Sequence, residues 1–398
     1  MYATRARQAR PEAFTTRPGL AERLGLPYMD LPLMLAAVAL VAFSVFTLAQ
    51  ATLGDVPGDR YYFVQRQAIY AVLGIVVMLV LTRIDYSRFR ELRVGIYTFL
   101  CVSIALVFVF GFAARGSRRA FDLPMFSFQP SELGKLLLVL ALAGFVIDGA
   151  RRGSEKQRTL RYLCLGLAPA ALVFLQPDLG TSLVFAAATL AVMFVGNVRW
   201  THLATIGAAA VALTAIVFVA APAVGAPILK GYQQERLTSF LDPSEDPRDA
   251  GYQQRQALIA IGSGEQTGRG DRATQTRLDF VPERHTDFIF AVIGERYGFM
   301  GAAFVLSLYA LLIWRALRIV TLSKNLYGTL IAGGITAILL FQVFVNVGMN
   351  LGIMPITGIP LPLLSYGGSS VLATFLAVGV LESIHMQAQL SQRGRFAW

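Results

Sequence analysis

Residues Tyr327–Leu351 read YGTLIAGGITAILLFQVFVNVGMNL, 25 positions without one formal charge. A helix needs about 20 mostly apolar residues to cross the hydrocarbon core of a bilayer. This stretch is long enough, and the pattern recurs at Leu31–Leu48, Gln67–Leu81, Gly95–Ala113, Glu132–Val146, Tyr162–Leu175, Gly180–Val195, His202–Val224, Phe288–Ile313 and Gly368–Met386. The shorter segments extend into their flanks or tilt. The sequence predicts an all-α fold, a polytopic membrane bundle of ten transmembrane helices. Composition agrees: the chain is 55% hydrophobic and only 15% charged, where a soluble domain carries about a quarter charged residues. That content excludes a disordered chain. Two cysteines, Cys101 and Cys164, both inside apolar runs, exclude a disulfide scaffold. His202, His285 and His385 lie far apart, so no local metal-ligand spacing exists and no metal site is expected.

The net charge of +11 reads as topology rather than nucleic-acid binding, because cytoplasmic loops of membrane proteins collect Lys and Arg. One set of loops holds 20 basic residues and the opposite set 12, of which eight lie in a single long loop. Short loops alone give 20 against 4. Both termini are therefore expected in the cytoplasm: a basic arm over 1–30, the bundle over 31–386 and a tail over 387–398. Ala49 and Ala51 resemble a signal-peptidase site, but cleavage there would break the charge pattern, so an uncleaved first span is expected. The loop 225–286, between the seventh and eighth spans, is the long one and faces outward. It contains Ile259-Ala260-Ile261-Gly262-Ser263-Gly264 and is expected to dock on the bilayer surface or on its own bundle.

Ionisable residues in or beside spans are costly and point to function. Glu132 and Lys135, in Gln129-Pro130-Ser131-Glu132-Leu133-Gly134-Lys135, can share a helix face as an ion pair or as substrate contacts. Gln176-Pro177-Asp178-Leu179-Gly180-Thr181 reads as a turn with Asp178 as a helix cap, or as a second acid of a site. Pro282-Glu283-Arg284-His285-Thr286-Asp287 leads straight into an apolar helix. There Thr286 or Asp287 caps that helix, or Asp287 is a carboxylate at the water–lipid boundary suited to general-base chemistry. Asn346 and Asn350 are i,i+4, followed by Pro355, Pro360, Pro362 and Ser365-Tyr366-Gly367-Gly368-Ser369-Ser370. Such a run implies non-helical backbone packed against protein or a wet cavity. Arg115, Arg118 and Arg119 break the charge rule on the outer side, as an anionic headgroup ligand would explain.

These motifs, in this order and spacing over roughly residues 30–390, resemble the SEDS family (shape, elongation, division, sporulation). Ile356-Thr357-Gly358-Ile359-Pro360-Leu361-Pro362 looks more like its elongation branch than its division branch. The resemblance implies a peptidoglycan glycosyltransferase that polymerises lipid II outside the cytoplasmic membrane and releases undecaprenyl pyrophosphate. It places Asp287 on the family's essential aspartate, Glu132 and Lys135 on its paired charges and Asp178 on another family acid. Arg119 matches a family arginine, with Ala120 where Trp usually follows. Glu283, His285, Thr286 and Ser365 are expected to contact substrate or support the site. The implied partners are lipid II and the growing glycan chain, a class B penicillin-binding transpeptidase packed through its single span, and other membrane proteins of the elongation complex. Arg119, Lys135 or loop arginines would meet the pyrophosphate, alone or with a divalent cation; no cofactor is otherwise implied. The rival readings are a flippase or transporter for lipid-linked precursors, which broken helices also suit, and a non-catalytic scaffold of the cell-wall machinery.

Overall fold

A computed structural model describes residues 28–114, 117–122, 127–150, 153–216, 250–278 and 280–395. Most of the basic arm, Arg115 and the stretch 217–249 of the seventh span and long loop lie outside the described residues. The elements are α1 (Leu31–Ala51), α2 (Tyr62–Leu81), α3 (Arg93–Phe110), β1 (Phe112–Ala114), β2 (Ser117–Asp122), β3 (Ser127–Phe128), α4 (Pro130–Gly149) and α5 (Glu155–Leu175). They continue with α6 (Leu179–Val195), α7 (Trp200–Ala215), α8 (Ala250–Ser263), α9 (Ile289–Leu322), α10 (Leu326–Asn350) and α11 (Gly368–Arg395). Eight of the helices are long and apolar enough to cross a membrane, and α6 and α7 are shorter apolar helices. The protein is a polytopic membrane helix bundle.

Helices start where the sequence supplies acceptors for the orphan amides of the first turn. Asp30 caps α1 through Leu33 N, Ser154 and Gln157 form a reciprocal capping box on α5, and Asn325 caps α10 through Gly328 N. Helix ends run beyond the apolar cores read from sequence: the span placed at Gln67 starts at Tyr62, and α11 continues through the expected tail to Arg395. Flanking charged residues are good helix formers and need no hydrocarbon cover. An antiparallel three-stranded sheet, β1-β2-β3, joins α3 to α4 within the all-α bundle and carries Arg118 and Arg119 on β2.

Burial sorts the helices into layers. Helices α4, α10 and α11 are mostly buried and form the interior, whereas α2, α3, α5 and α9 turn most of their surface outward. That outward surface carries Val72, Val109, Phe110 and Phe299, an apolar exposure suited to lipid and not to water. Helix α1 lies antiparallel to α9 and is pinned at both ends. Arg315, grouped with the loop cations from sequence, lies inside α9 and holds Asp30 at 2.6 Å. At the other end the Arg296 guanidinium donates to the Gln50 carbonyl at 3.0 Å. Glu382 of α11 joins the first cluster by accepting from Asp30 N at 2.9 Å.

The described part of the long loop, from Ala250 on, docks on its own bundle. Ala257 and Ala260 of α8 pack with Val281, Phe288, Ala291, Met349 and Ile356. Glu295, fully buried in α9, accepts from Gln275 N and Thr276 N, both at 2.8 Å. Helix α9 breaks at Gly298, whose φ of +64° is open only to glycine without strain. The break lets residues 264–268 cross directly over it: Phe299 N donates to the Glu265 carbonyl at 2.8 Å.

Candidate active site

Residues 283–287, which precede α9, are held by several anchors. Glu283 adopts a left-handed φ of +53° and its carbonyl accepts from Thr286 N at 3.0 Å. Its carboxylate accepts from Thr286 Oγ1 at 3.0 Å. Arg284 reaches Asp55 at 2.7 Å. The His285 carbonyl accepts from Tyr366 N at 2.8 Å, while its ring packs on Phe63 with centroids 4.5 Å apart. Ser365 Oγ donates to the Thr286 carbonyl at 2.6 Å and accepts from Leu361 N at 2.8 Å.

Asp287 is fixed through its backbone. Its carbonyl accepts from Asn346 Nδ2 at 3.0 Å and from Asn350 Nδ2 at 3.1 Å. Asn346 also donates to the Ile359 carbonyl at 2.8 Å, and Asn350 Oδ1 accepts from Ala291 N at 3.2 Å. Asn350 thus serves the first turn of α9 from a neighbouring helix. The residue at the N-cap itself is Phe288, which offers no side-chain cap. Capping by Thr286 or Asp287, one of the two readings of this segment, is not what the structure shows. The half-buried Asp287 carboxylate lies beside Gly358: a Cβ built there would stand 3.6 Å from Oδ2, and Gly358 has φ +71°.

The other motifs join this frame. Asp178 caps α6, accepting from Thr181 N at 3.1 Å and Thr181 Oγ1 at 3.0 Å, and it also accepts from Gln129 Nε2 at 3.1 Å. Of the two readings of Asp178, the cap is the one observed. Gln129 N donates to Ser369 Oγ at 3.0 Å. Gln67, fully buried in α2, donates to the Ser365 carbonyl at 3.3 Å and accepts from Gly367 N at 3.4 Å. The motifs at 129, 178, 285–287 and 357–369 therefore meet at one end of the bundle.

Glu132 and Lys135 form a buried ion pair, 2.8 Å apart with side chains 5% and 6% exposed. They line a narrow cavity with Ile338 and Gln342 of α10 and Thr374 of α11. Arg119 is placed by its backbone alone, in β2. Among the described residues no His, Cys, Asp and Glu side chains group to hold a metal ion. Sequence reasoning missed Glu295, Gln67 and Gly358. For Glu295 the signal was available, an acid in an apolar run; for Gly358 only its lodging between Pro355 and Pro360 hinted at a special backbone.

This is the architecture of a multi-pass membrane protein with a carboxylate-bearing site at one end. The cell cycle protein family of FtsW, RodA and SpoVE matches residues 29–390. The chain belongs to that family, the SEDS family its motifs resemble. It is 36% identical over 364 residues to the peptidoglycan glycosyltransferase MrdB of Escherichia coli K12, covering 91% of this chain and 95% of that one. It is 35% identical over 337 residues to stage V sporulation protein E of Bacillus subtilis, covering 82% and 87%. Among solved structures, a chain of a peptidoglycan synthase complex that coordinates polymerization and crosslinking aligns with TM-score 0.76 and 33% identity, over 90% of this chain and 98% of that one. The rod shape determining protein RodA of Thermus thermophilus aligns with TM-score 0.65 and 30% identity, over 90% and 96%.

Proposed function

We infer that the chain is a peptidoglycan glycosyltransferase of cell elongation that joins lipid-linked disaccharide-peptide units into glycan chains on the outer side of the cytoplasmic membrane. The observation that carries the reading is the Asp287 carboxylate beside the open Gly358 backbone, its own backbone clamped by two buried asparagines. In the reaction, the 4-hydroxyl of one lipid II attacks the anomeric carbon of the lipid-linked donor chain. A new C–O bond forms there, the bond from that carbon to the pyrophosphate oxygen breaks, and the pyrophosphate leaves with its electron pair. Asp287 takes the hydroxyl proton, a contribution of about 10²–10⁴-fold for a placed general base. A rigid backbone keeps that carboxylate in place.

Glu132, Lys135 and Asp178 act in this reading as internal supports: the pair stiffens the interior and Asp178 joins α6 to Gln129. Glu283, Thr286 and Ser365 position the Asp287 segment. In this reading the chain crosses ten times with both termini cytoplasmic, as the Lys and Arg bias of the short loops supports, and the site faces outward, where lipid II is displayed. A class B penicillin-binding transpeptidase, packed through its single span, would crosslink the glycan made here; the solved synthase complex that this chain resembles supports that pairing. A transporter needs a site alternately open to both sides, whereas the broken backbone here gathers at one end. Purified protein supplied with lipid II is expected to yield glycan chains. Lipid II that crosses a vesicle membrane with no glycan formed would favour the flippase reading instead.

A further inference from the structure

The transfer leaves two phosphates carrying negative charge, and a cation must meet them. Lys135, one of the cations named from sequence, holds Glu132 in the interior. A different arginine stands on the Asp287 frame. We propose that Arg66, framed by Tyr62, Tyr70 and Tyr366 at the first turns of α2, binds the pyrophosphate of the lipid-linked donor. The proposal rests on the glycosyltransferase reading and deepens it.

Arg66 lies one helical turn after Tyr62 and one before Tyr70. Its guanidinium carbon sits 4.3 Å from the centre of the Tyr62 ring, and Tyr70 and Tyr366 flank the same group. A guanidinium laid over an aromatic face keeps its N–H edge in the ring-parallel plane, where phosphate oxygens are bound in bidentate fashion. The framing removes rotamer freedom before any ligand arrives.

The position of Arg66 relative to Asp287 is fixed by short links. The next residue, Gln67, bonds the Ser365 carbonyl and Gly367 N. Tyr366 N donates to the His285 carbonyl at 2.8 Å, and Ser365 Oγ to the Thr286 carbonyl at 2.6 Å. Phe63, in the same turn of α2, packs its ring on His285 at 4.5 Å and on Tyr366 at 4.9 Å. Carboxylate and guanidinium are therefore mounted on one frame at the same end of the bundle. Arg66 is half-buried at the end of an apolar helix, the depth at which the phosphates of a lipid sit while its tail stays in the bilayer. In this role Arg66 transfers no proton; it stabilises charge that grows on the phosphate oxygens as the anomeric C–O bond breaks.

The test uses full-length protein in lipid nanodiscs, with lipid II as substrate and undecaprenyl pyrophosphate as the binding probe. Arg66→Ala is expected to weaken inhibition by undecaprenyl pyrophosphate and to lower kcat by at least about tenfold, as removal of a transition-state donor does, without moving the melting temperature. Arg66→Lys should keep part of the activity, and added guanidinium should restore part of it to Arg66→Ala; a purely structural arginine gives neither. Unchanged inhibition by undecaprenyl pyrophosphate in an active Arg66→Ala enzyme overturns the proposal. Should that variant fail to fold, Arg66→Gln is read in the same inhibition assay, with the same two outcomes. Wild-type protein that makes no glycan defeats the glycosyltransferase reading itself, a result distinct from wild-type activity with an indifferent Arg66.

Discussion

Asn346 donates its side-chain amide to the main-chain carbonyl of Asp287 across 3.0 Å, from within the last turns of α10. The bond is between a buried interior helix and the residue just before α9, 59 positions away in sequence. It makes the orientation of the Asp287 carboxylate a property of helix packing. Asn346→Ala would leave the carbonyls of Asp287 and Ile359 short of a donor, a cost of about 1–3 kcal/mol for such a buried group. The expected outcome is a lower melting temperature in detergent and a lower kcat, with Asp287 still present. Asn346→Ala with wild-type kcat would show that the clamp does not orient the base.

Asp287→Asn removes the carboxylate and keeps the volume. Because Asn350, not Asp287, serves the first turn of α9, this variant should fold and melt as wild type does. Polymerisation of lipid II should fall at least about 10²-fold. A near-normal rate would remove Asp287 from the chemistry.

Glu132 and Lys135 share one buried ion pair. Breaking it from one side strands a charge in the interior, at about 3–5 kcal/mol, whereas replacing both partners costs less. Glu132→Gln and Lys135→Met should each lower thermal stability more than the double variant does. Strictly additive shifts in a double-mutant cycle would mean that the two charges do not depend on each other.

Gly358 combines a left-handed backbone with contact to the carboxylate. Gly358→Ala strains the backbone by about 1–2 kcal/mol and sets a methyl 3.6 Å from Asp287 Oδ2. Both stability and rate should drop. Gly358→Asn tolerates the left-handed conformation and should regain stability, while its larger side chain keeps the rate low. Full recovery of rate with Asn would show that backbone strain alone was at fault.

Orientation can be read by cysteine labelling in protein lacking Cys101 and Cys164. Arg272→Cys, exposed beside α8, should react with a membrane-impermeant maleimide in intact cells. Lys156→Cys, exposed at the start of α5, should react only after permeabilisation. The reverse pattern would place the site on the cytoplasmic side.

Composition and span length already determined that the chain is a membrane bundle, because hydrocarbon thickness converts directly into a run of apolar residues. Motif order identified the family, and the i,i+4 spacing of Asn346 and Asn350 announced one working face on α10. Within each motif, however, sequence left two readings open, since a short polar residue beside an apolar run suits a cap, an ion pair or a catalytic group alike. Only the tertiary structure decided among them. It gave the first turn of α9 to Asn350, the α6 cap to Asp178 and the ion pairing to Glu132 and Lys135, and it set Asp287 beside Gly358 with its backbone held. The three-stranded sheet and the break at Gly298 were equally unreadable, and of the two docking surfaces expected for the long loop only the structure selects the bundle for α8, because each depends on groups finding partners far away in the chain. A hydrophobic pattern records how deep a residue lies; which carbonyl receives which amide is fixed when the helices pack.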